Sequence, residues 1–513
     1  MVLFESVLTL LLVAIVLLQV SRKVSVPYPT MLAFAGVVVA ALPWAPTIGI
    51  DPQLALALFI APALLDAAFD LPPREVRREW LALVALAAVA VLLTTGVVAW
   101  VGVVWGAMPL AAAVALGAIV APPDAAAASA MLGRFALPRR TVAVLKGESL
   151  LNDAVALLVF GAAVGATSPH VSLSHLVPEL ALAAPGGVLF GFVTARLYLV
   201  VSRPMAGTLG ATLFQFVTTF GVWVLAERLH VSAVLAVVAY AMTVARIAPE
   251  RTRPRDRVHS YAVWEAAVFL LNVLAFLLVG LQARAIVTRL HSVELWHALR
   301  FAGLVLLSVV LVRLAWVMLF NQLRRRLGKW LGETQPPSVA QGLVVAWCGM
   351  RGLVTLAGAL ALPDAFPARD LVVLSALGVV LGTLIVQGLT LGPLIKSLRF
   401  PPDPSLAREL SEGRLALLET ALGHLEGRDE DAATRLRDLY YDERGVVERG
   451  EEPRAVSEVD RLRRELLAKK RTRLAALRRH GAIGDDVFHL LEQELDWAEL
   501  AATPADDAEL IEG

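Results

Sequence analysis

A single cysteine, Cys348, stands in 513 residues, so no intramolecular disulfide is available and no cysteine cluster can hold zinc or an iron–sulfur centre. Charge is scarce too: Asp, Glu, Lys and Arg make up 18% of the chain, against 58% hydrophobic residues and a mean hydropathy of +0.69. No globular surface could cover that much apolar side chain, which excludes one soluble domain of this length. There is also no glycine-rich phosphate loop of the GxxxxGK[ST] form, which argues against an ATP-driven pump within the chain. Redox chemistry, a bound cofactor and a nucleic-acid partner are not expected.

What is present is a succession of apolar runs long enough to cross a bilayer. The first, Leu3 to Val20, has Glu5 near its start and Arg22-Lys23 behind it, the reverse of a secretory signal's charge order, so it is expected to stay, with the N-terminus outside. From there the pattern predicts thirteen spans, near 3–20, 29–45, 54–70, 80–104, 108–133, 141–165, 176–202, 205–226, 231–249, 262–283, 299–320, 338–362 and 370–398. In the alternate loops assigned to the cytoplasmic side, Lys and Arg number 18, among them Arg134, Arg251 and Lys329. The opposite loops carry five, Arg228, Arg284, Arg289, Arg300 and Arg369. That contrast supports an odd number of crossings and a cytoplasmic C-terminus.

Charge also divides the chain lengthwise. From Arg399 onward there are 18 basic and 27 acidic residues, a net of −9, which leaves +10 for the part before it. The prediction is a membrane domain over residues 1–398 and a soluble helical tail over 399–513, with a turn-rich middle at Gly445, Gly450 and Pro453. Lys469 to Arg479 is read as a solvated helix face in preference to a lipid-binding stretch.

The run from Thr141 to Gly165 contains Glu148, Ser149, Asn152 and Asp153. At helical spacing Glu148 lies one turn before Asn152 and Ser149 one turn before Asp153, giving two neighbouring polar stripes. An unpaired carboxylate at that depth costs on the order of 3 kcal/mol or more, so Asp153 is either used or paired. A cation and proton site is the reading preferred to a structural carboxylate, because Ser149, Asn152 and Asp124 offer oxygens to the same place. Asp124 follows Pro122-Pro123, where helix should unwind and free backbone carbonyls; it also suits an Asx-type cap. A second break is expected at WCGMRG, residues 347–352, in the twelfth span, and breaks in corresponding positions suggest inverted repeats. Asp66, one turn after Pro62, is either a water-linked entrance carboxylate or a side chain reaching the interface beside Asp70. Arg313 is too deep in its span to stand alone, and Glu148 is the anion expected to pair with it, ion binding being the lesser role. Arg351 would neutralise helix C-terminal ends or share Glu148.

Seven motifs in order, LFIAPALLDAAFD, APPDAAAASAML, LKGESLLNDAVALLVF, WEAAVFLLNVLAFLLVGL, VLVRLAWV, WCGMRGLVTLAGALALP and GTLIVQGLTLGPLI, resemble those of the monovalent cation:proton antiporter family, the sodium/proton exchangers. The resemblance covers roughly residues 50 to 398. It implies an all-α polytopic fold in which a core domain with two crossed, broken helices moves against a dimerisation domain. The core would lie around spans 4–6 and 11–13, the dimerisation part around spans 1–3 and 7–10. It further implies a homodimer in the cell (inner) membrane that exchanges Na⁺, Li⁺ or K⁺ for H⁺ and serves pH homeostasis. On that pattern Asp153 is the transport carboxylate, holding the monovalent cation with Asp124 and Ser149. Asn152 marks electroneutral members, Asp66 matches a family acidic position, and Glu148 with Arg313 matches a buried pair. Two departures stand out: Pro123-Asp124-Ala125 replaces a Thr-Asp-Pro, and Lys146 precedes Glu148 by two residues.

Two other classes were weighed. A proton-coupled carrier of an organic solute would want aromatic anchors near Asp153, and none of the eleven tryptophans lies close to it in sequence. A membrane-embedded hydrolase lacks parts: no intramembrane histidine accompanies Ser149, and no His-rich metal motif occurs, so the chain is not expected to be an enzyme.

Overall fold

The structure, a computed structural model, describes all residues except 1, 25, 41–50, 70, 72, 125–134, 136, 168–172, 249–251, 288–291, 329–336, 402, 429, 450–457, 481, 483 and 503–513. Asp70, Arg134, Arg251, Arg289, Lys329, Gly450 and Pro453 therefore lie outside the described residues, as does the stretch of the fifth span that follows Asp124. Among the described residues the chain is helical and has no strand. It divides into two compact units, Met1–Pro402 and Asp403–Glu512.

The first unit runs α1 (Val2–Val24), α2 (Tyr28–Ala40), α3 (Gln53–Phe69), α4 (Pro73–Arg78), α5 (Trp80–Trp105), α6 (Leu110–Val120), α7 (Arg139–Gly165), α8 (Leu173–Val201), α9 (Leu209–Arg228), α10 (Ala233–Ile247), α11 (Pro254–Val287), α12 (Ser292–Leu327), α13 (Val339–Trp347), α14 (Leu353–Leu360) and α15 (Arg369–Leu398). Among the described residues seven helices are long and apolar enough to cross a bilayer, and shorter apolar helices occur at Leu11–Ser21, Tyr28–Ala40, Gln53–Phe69, Leu110–Val120 and Ala233–Ile247. Length and composition establish seven crossings among these residues, and the expected thirteen is not established by them.

Local chemistry explains several element ends. Ser338 accepts from the Gln341 backbone while the Gln341 side chain accepts from the Ser338 N–H, a capping box that starts α13. A π-type turn at Ala85–Val89 loosens α5, and Trp316 Nε1 of α12 donates to the Ala85 carbonyl at 2.8 Å. The helix irregularity is thereby tied to a neighbour.

Two apolar clusters fill this unit. One joins α5, α6, α12, α13 and α15 with α1, α2 and part of α11. The other joins α3 with α8, α9, α10 and part of α11. Helix α7 belongs to both, giving Val144, Leu145 and Ala163 to the first and Leu150 and Ala154 to the second. Asp153 is thus carried by an element shared between two bodies of packing, as α11 and α14 also are.

Helices in lipid gain little from burying apolar surface against one another, so close backbone approach matters more, and it needs small residues. Gly36 of α2 and Gly280 of α11 meet in this way: a Cβ on Gly280 would fall 2.7 Å from Gly36 Cα and from the Val37 nitrogen. Overpacking of this kind costs roughly 1 to 3 kcal/mol, so Gly280→Val should lower the thermal midpoint of the purified protein in detergent, while Gly303→Val, with open space around it, should not. Equal midpoints for the two variants would show that α2 and α11 do not touch through their backbones.

The second unit comprises α16 (Ser405–Leu425), α17 (Asp431–Glu448), α18 (Glu458–Arg479) and α19 (Asp485–Ala502). Its helices pack in consecutive pairs, and Arg471 of α18 ties to Asp496 and Glu499 of α19.

Candidate cation site at the crossing of two broken helices

Helix α6 stops at Val120, and residues 121–124 continue without helical structure. Pro122 and Pro123 have no N–H to give, so the carbonyls at the end of α6 lose their intrahelical donors. The second break separates α13 from α14 over residues 348–352, where Gly349 and Gly352 flank Met350 and Arg351. The two interrupted stretches touch: the Asp124 N–H donates to the Met350 carbonyl at 2.7 Å. Gly352 lies against the Asp124 carboxylate so closely that any Cβ there would overlap it. Glycine is required at 352 by that approach.

Each broken end is met by an arginine. Arg351, fully buried, donates from Nε to the Val120 carbonyl at 3.0 Å and from Nη2 to the Ala121 carbonyl at 3.1 Å, with Nη1 on the Gly349 carbonyl. Its own backbone N–H donates to Thr383 Oγ1 of α15 at 3.0 Å. Of the two roles open to Arg351 from the sequence, its hydrogen bonds serve the C-terminal end of α6. Arg313 of α12 does the same for α13, donating to the Ala346 carbonyl at 3.2 Å and the Val345 carbonyl at 3.0 Å. It also donates twice to Glu148, Nη1 to Oε1 at 2.5 Å and Nη2 to Oε2 at 3.1 Å. Both partners are at most 3% exposed. Gly349 sits between the two guanidiniums, where a side chain would meet Arg313 and Arg351 together.

Asn152 and Asp153 are buried on α7, one turn beyond Glu148. Asn152 Nδ2 donates to the Pro123 carbonyl at 3.2 Å, which fixes which way the amide faces and leaves Oδ1 buried with no hydrogen-bond partner. Asp153 lies within Coulombic range of Asp124. The crossing therefore gathers two carboxylates and an unsatisfied amide oxygen, hard-oxygen chemistry suited to a small cation. Ser149 is half-buried on the same helix and has a polar or ring partner of its own. Asp66 is half-buried on α3, whose Leu64, Leu65 and Ala68 share a cluster with Leu150 and Ala154 of α7. This puts its helix beside α7 without placing its carboxylate among the crossing residues. Lys146, near the start of α7, is also half-buried and partnered.

Some buried polar groups here escaped the sequence reading. Thr355, on the first turn of α14, is buried with its hydroxyl unpaired, and Thr383 carries the Arg351 backbone. An isolated threonine in an apolar span is ordinary on base rates; only its position one turn past a double-glycine break would have singled out Thr355.

Residues 7–397 match the family model described as sodium/hydrogen exchanger, transmembrane. The chain belongs to that family. An Na⁺/H⁺ exchanger of Mycobacterium bovis is 30% identical over 505 residues, 94% of this chain and 93% of its own length. A sodium, potassium, lithium and rubidium/H⁺ antiporter of Bacillus pumilus is 31% identical over 79% of this chain and 63% of that protein. The low-affinity Na⁺/H⁺ antiporter NhaS1 of Synechocystis is 28% identical over 83% and 81%. Among solved structures, the sodium proton antiporter MjNhaP1 of Methanocaldococcus jannaschii superposes with a TM-score of 0.60 at 19% identity, covering 79% of this chain and 99% of that one. The fold is shared, and the exchanger is a multi-pass membrane transporter.

Because Glu148 and Arg313 neutralise each other in a dry setting, Glu148→Gln and Arg313→Met should each destabilise the exchanger by roughly 3 to 5 kcal/mol, and the double variant should recover part of the loss. Thermal melts of the four proteins measure the coupling; losses that simply add would mean that the two charges do not support one another.

Proposed function

We propose that the exchanger carries a monovalent cation, Na⁺, Li⁺ or K⁺, against H⁺ by alternating access, one for one and without net charge movement. The observation that carries this reading is the pair Asn152–Asp153 at the crossing: a buried carboxylate next to an amide whose oxygen has no partner and which cannot titrate. One negative charge holds either one proton or one monovalent cation, so the loaded site has the same net charge in both cases. Asp153 is assigned the exchanging role, Asn152, Asp124 and Ser149 the supporting oxygens, and Asp66 the approach. Glu148, Arg313 and Arg351 hold the broken helices in place and stay outside the exchange. The working membrane is taken to be the cell (inner) membrane, with the N-terminus outside and the tail in the cytoplasm, and the working unit a homodimer.

The moving core is assigned to α5–α7 and α12–α15, and the dimerisation part to α1–α3 and α8–α11. The sharing of α7 between two apolar clusters supports motion at that seam, although α1 and α2 pack with the first cluster. Nothing favours the carrier of an organic solute.

Asp153→Asn should abolish exchange in reconstituted vesicles, tested with Na⁺, Li⁺ and K⁺ separately, while the protein still folds, because the neutral isostere removes charge and proton together and relieves a burial cost. Cation-driven proton movement persisting in that variant would remove Asp153 from the site. Since proton and cation compete, raising pH on the loading side should lower the apparent KM for cation until Asp153 is deprotonated, after which too few protons slow the return, giving a bell-shaped profile. A transport current that scales with imposed membrane potential, after leak subtraction, would mean that Asp124 titrates as well and two protons move per cation.

A further inference from the structure

We propose that the Thr355 hydroxyl is a further ligand of the transported cation, supplied by α14 across the crossing from Asn152 and Asp153, and that it sets how strongly small cations are preferred. The proposal rests on the assignment of Asp153 as the exchanging carboxylate. Thr355 is 1% exposed, and its hydroxyl has no hydrogen-bond partner. A threonine inside a helix ordinarily turns its hydroxyl back to a carbonyl three or four residues earlier, as Thr383 does to the Val379 carbonyl and Thr219 to the Gln215 carbonyl, both at 2.8 Å. Thr355 is the third residue of α14, and residues 348–352 before it are not helical, so the turn that would supply such a carbonyl is missing. Valine would fill the same volume without burying an unpaired polar group, so packing alone gives no reason for a hydroxyl here.

The packing of α14 shows which way Thr355 faces. Gly352, Thr355 and Gly358 follow one another at intervals of three and share one side of the helix. At the two ends of this row, a Cβ on Gly352 would overlap the Asp124 carboxylate, and one on Gly358 would fall 3.0 Å from Ile119 Cγ2 of α6. Thr355 sits between them, on the side that meets the end of α6 and the unwound stretch leading to Asp124. The opposite side of α14, with Leu353, Leu356 and Leu360, lines a separate cavity with Phe59 of α3 and Leu278 of α11.

Along that stretch the carbonyls of Val120 and Ala121 accept from Arg351, and that of Pro123 accepts from Asn152. Position 123, being proline, adds no side-chain oxygen. Among the described residues of the crossing, two uncharged side-chain oxygens are buried without a partner: Asn152 Oδ1 from α7 and Thr355 Oγ1 from α14. A cation that sheds water at a buried site needs neutral oxygens besides a carboxylate, whereas a proton on Asp153 needs none. Thr355 therefore acts on the cation and not on the proton. Because an oxygen dipole holds an ion more tightly the closer it comes, its contribution is largest for the smallest ion.

The test is cation-driven proton exchange in reconstituted vesicles, with Li⁺, Na⁺ and K⁺ given separately, alongside thermal melts of the same full-length proteins in detergent. Thr355→Val should raise the apparent KM roughly ten-fold for each ion that the parent carries, most for the smallest, while the maximal rate is kept. Its thermal midpoint should equal or exceed the parent's, because an unpaired buried hydroxyl is removed. Thr355→Ser keeps the hydroxyl and should stay within about two-fold of the parent's KM. Thr95→Val removes another buried, unpartnered hydroxyl, from α5 where Gly117 of α6 packs, and should leave KM unchanged. An unchanged KM in Thr355→Val, an equal rise in Thr95→Val, or a raised KM with a lowered thermal midpoint in both Thr355 variants would overturn the proposal. The two readings fail separately. The parent's KM in Thr355→Val beside an inactive Asp153→Asn removes only this ligand, whereas exchange persisting in Asp153→Asn removes the assignment beneath it.

Discussion

Everything at the centre of this exchanger depends on satisfying helix ends inside a membrane. A helix that stops in the bilayer leaves carbonyls without donors, and lipid supplies none. Here the two stops are answered by two guanidiniums, Arg351 at the end of α6 and Arg313 at the end of α13. Each arginine also opposes the partial negative charge of the helix end that it meets. Two buried cations close together need an anion, and Glu148 is it, held bidentate by Arg313. On this view the ion pair stabilises a backbone geometry more than it stabilises the fold as a whole, since a buried pair alone contributes little over apolar packing.

With its ends fixed, the crossing presents oxygens instead of helix. Pro123 gives its carbonyl to Asn152, the Asp124 backbone is held by Met350, and Gly352 lets the Asp124 side chain lie against the second break. Beside Asp124 the crossing holds the Asn152 oxygen, buried with no hydrogen-bond partner, and the buried Asp153. The two arginines bond to carbonyls and Glu148 and not to Asp153, as the proposed role of Asp153 requires. Helix α7, which carries Asn152 and Asp153, packs into both apolar clusters.

Much of this was legible in the sequence because the constraints were local or severe. Adjacent prolines and a glycine-flanked arginine mark breaks wherever they fall, and a buried arginine demands an anion even 165 residues away. The relation of Asn152 to Asp153 follows from adjacency. What was not legible depends on where separate elements converge. Whether Arg351 serves a helix end or Glu148 is decided by which carbonyls α6 brings to it. Glu79, which follows Arg77-Arg78 in sequence, is buried and paired with Arg140 and Arg324 only because α5, α7 and α12 bring those residues together. The π-type turn at Ala85 has no signature in an alanine-rich run; it is recognisable only with Trp316 in view.

The central claim is that one carboxylate, Asp153, holds a proton and a cation in turn. It is tested most directly without a membrane, by adding Na⁺ or Li⁺ to the purified exchanger in weakly buffered detergent solution, at a pH where Asp153 is still protonated, and measuring proton release by calorimetry in two buffers of different ionisation enthalpy. The prediction is one proton released per cation bound, and none in Asp153→Asn. Two protons per cation, or cation binding that releases no proton at any pH, would contradict it.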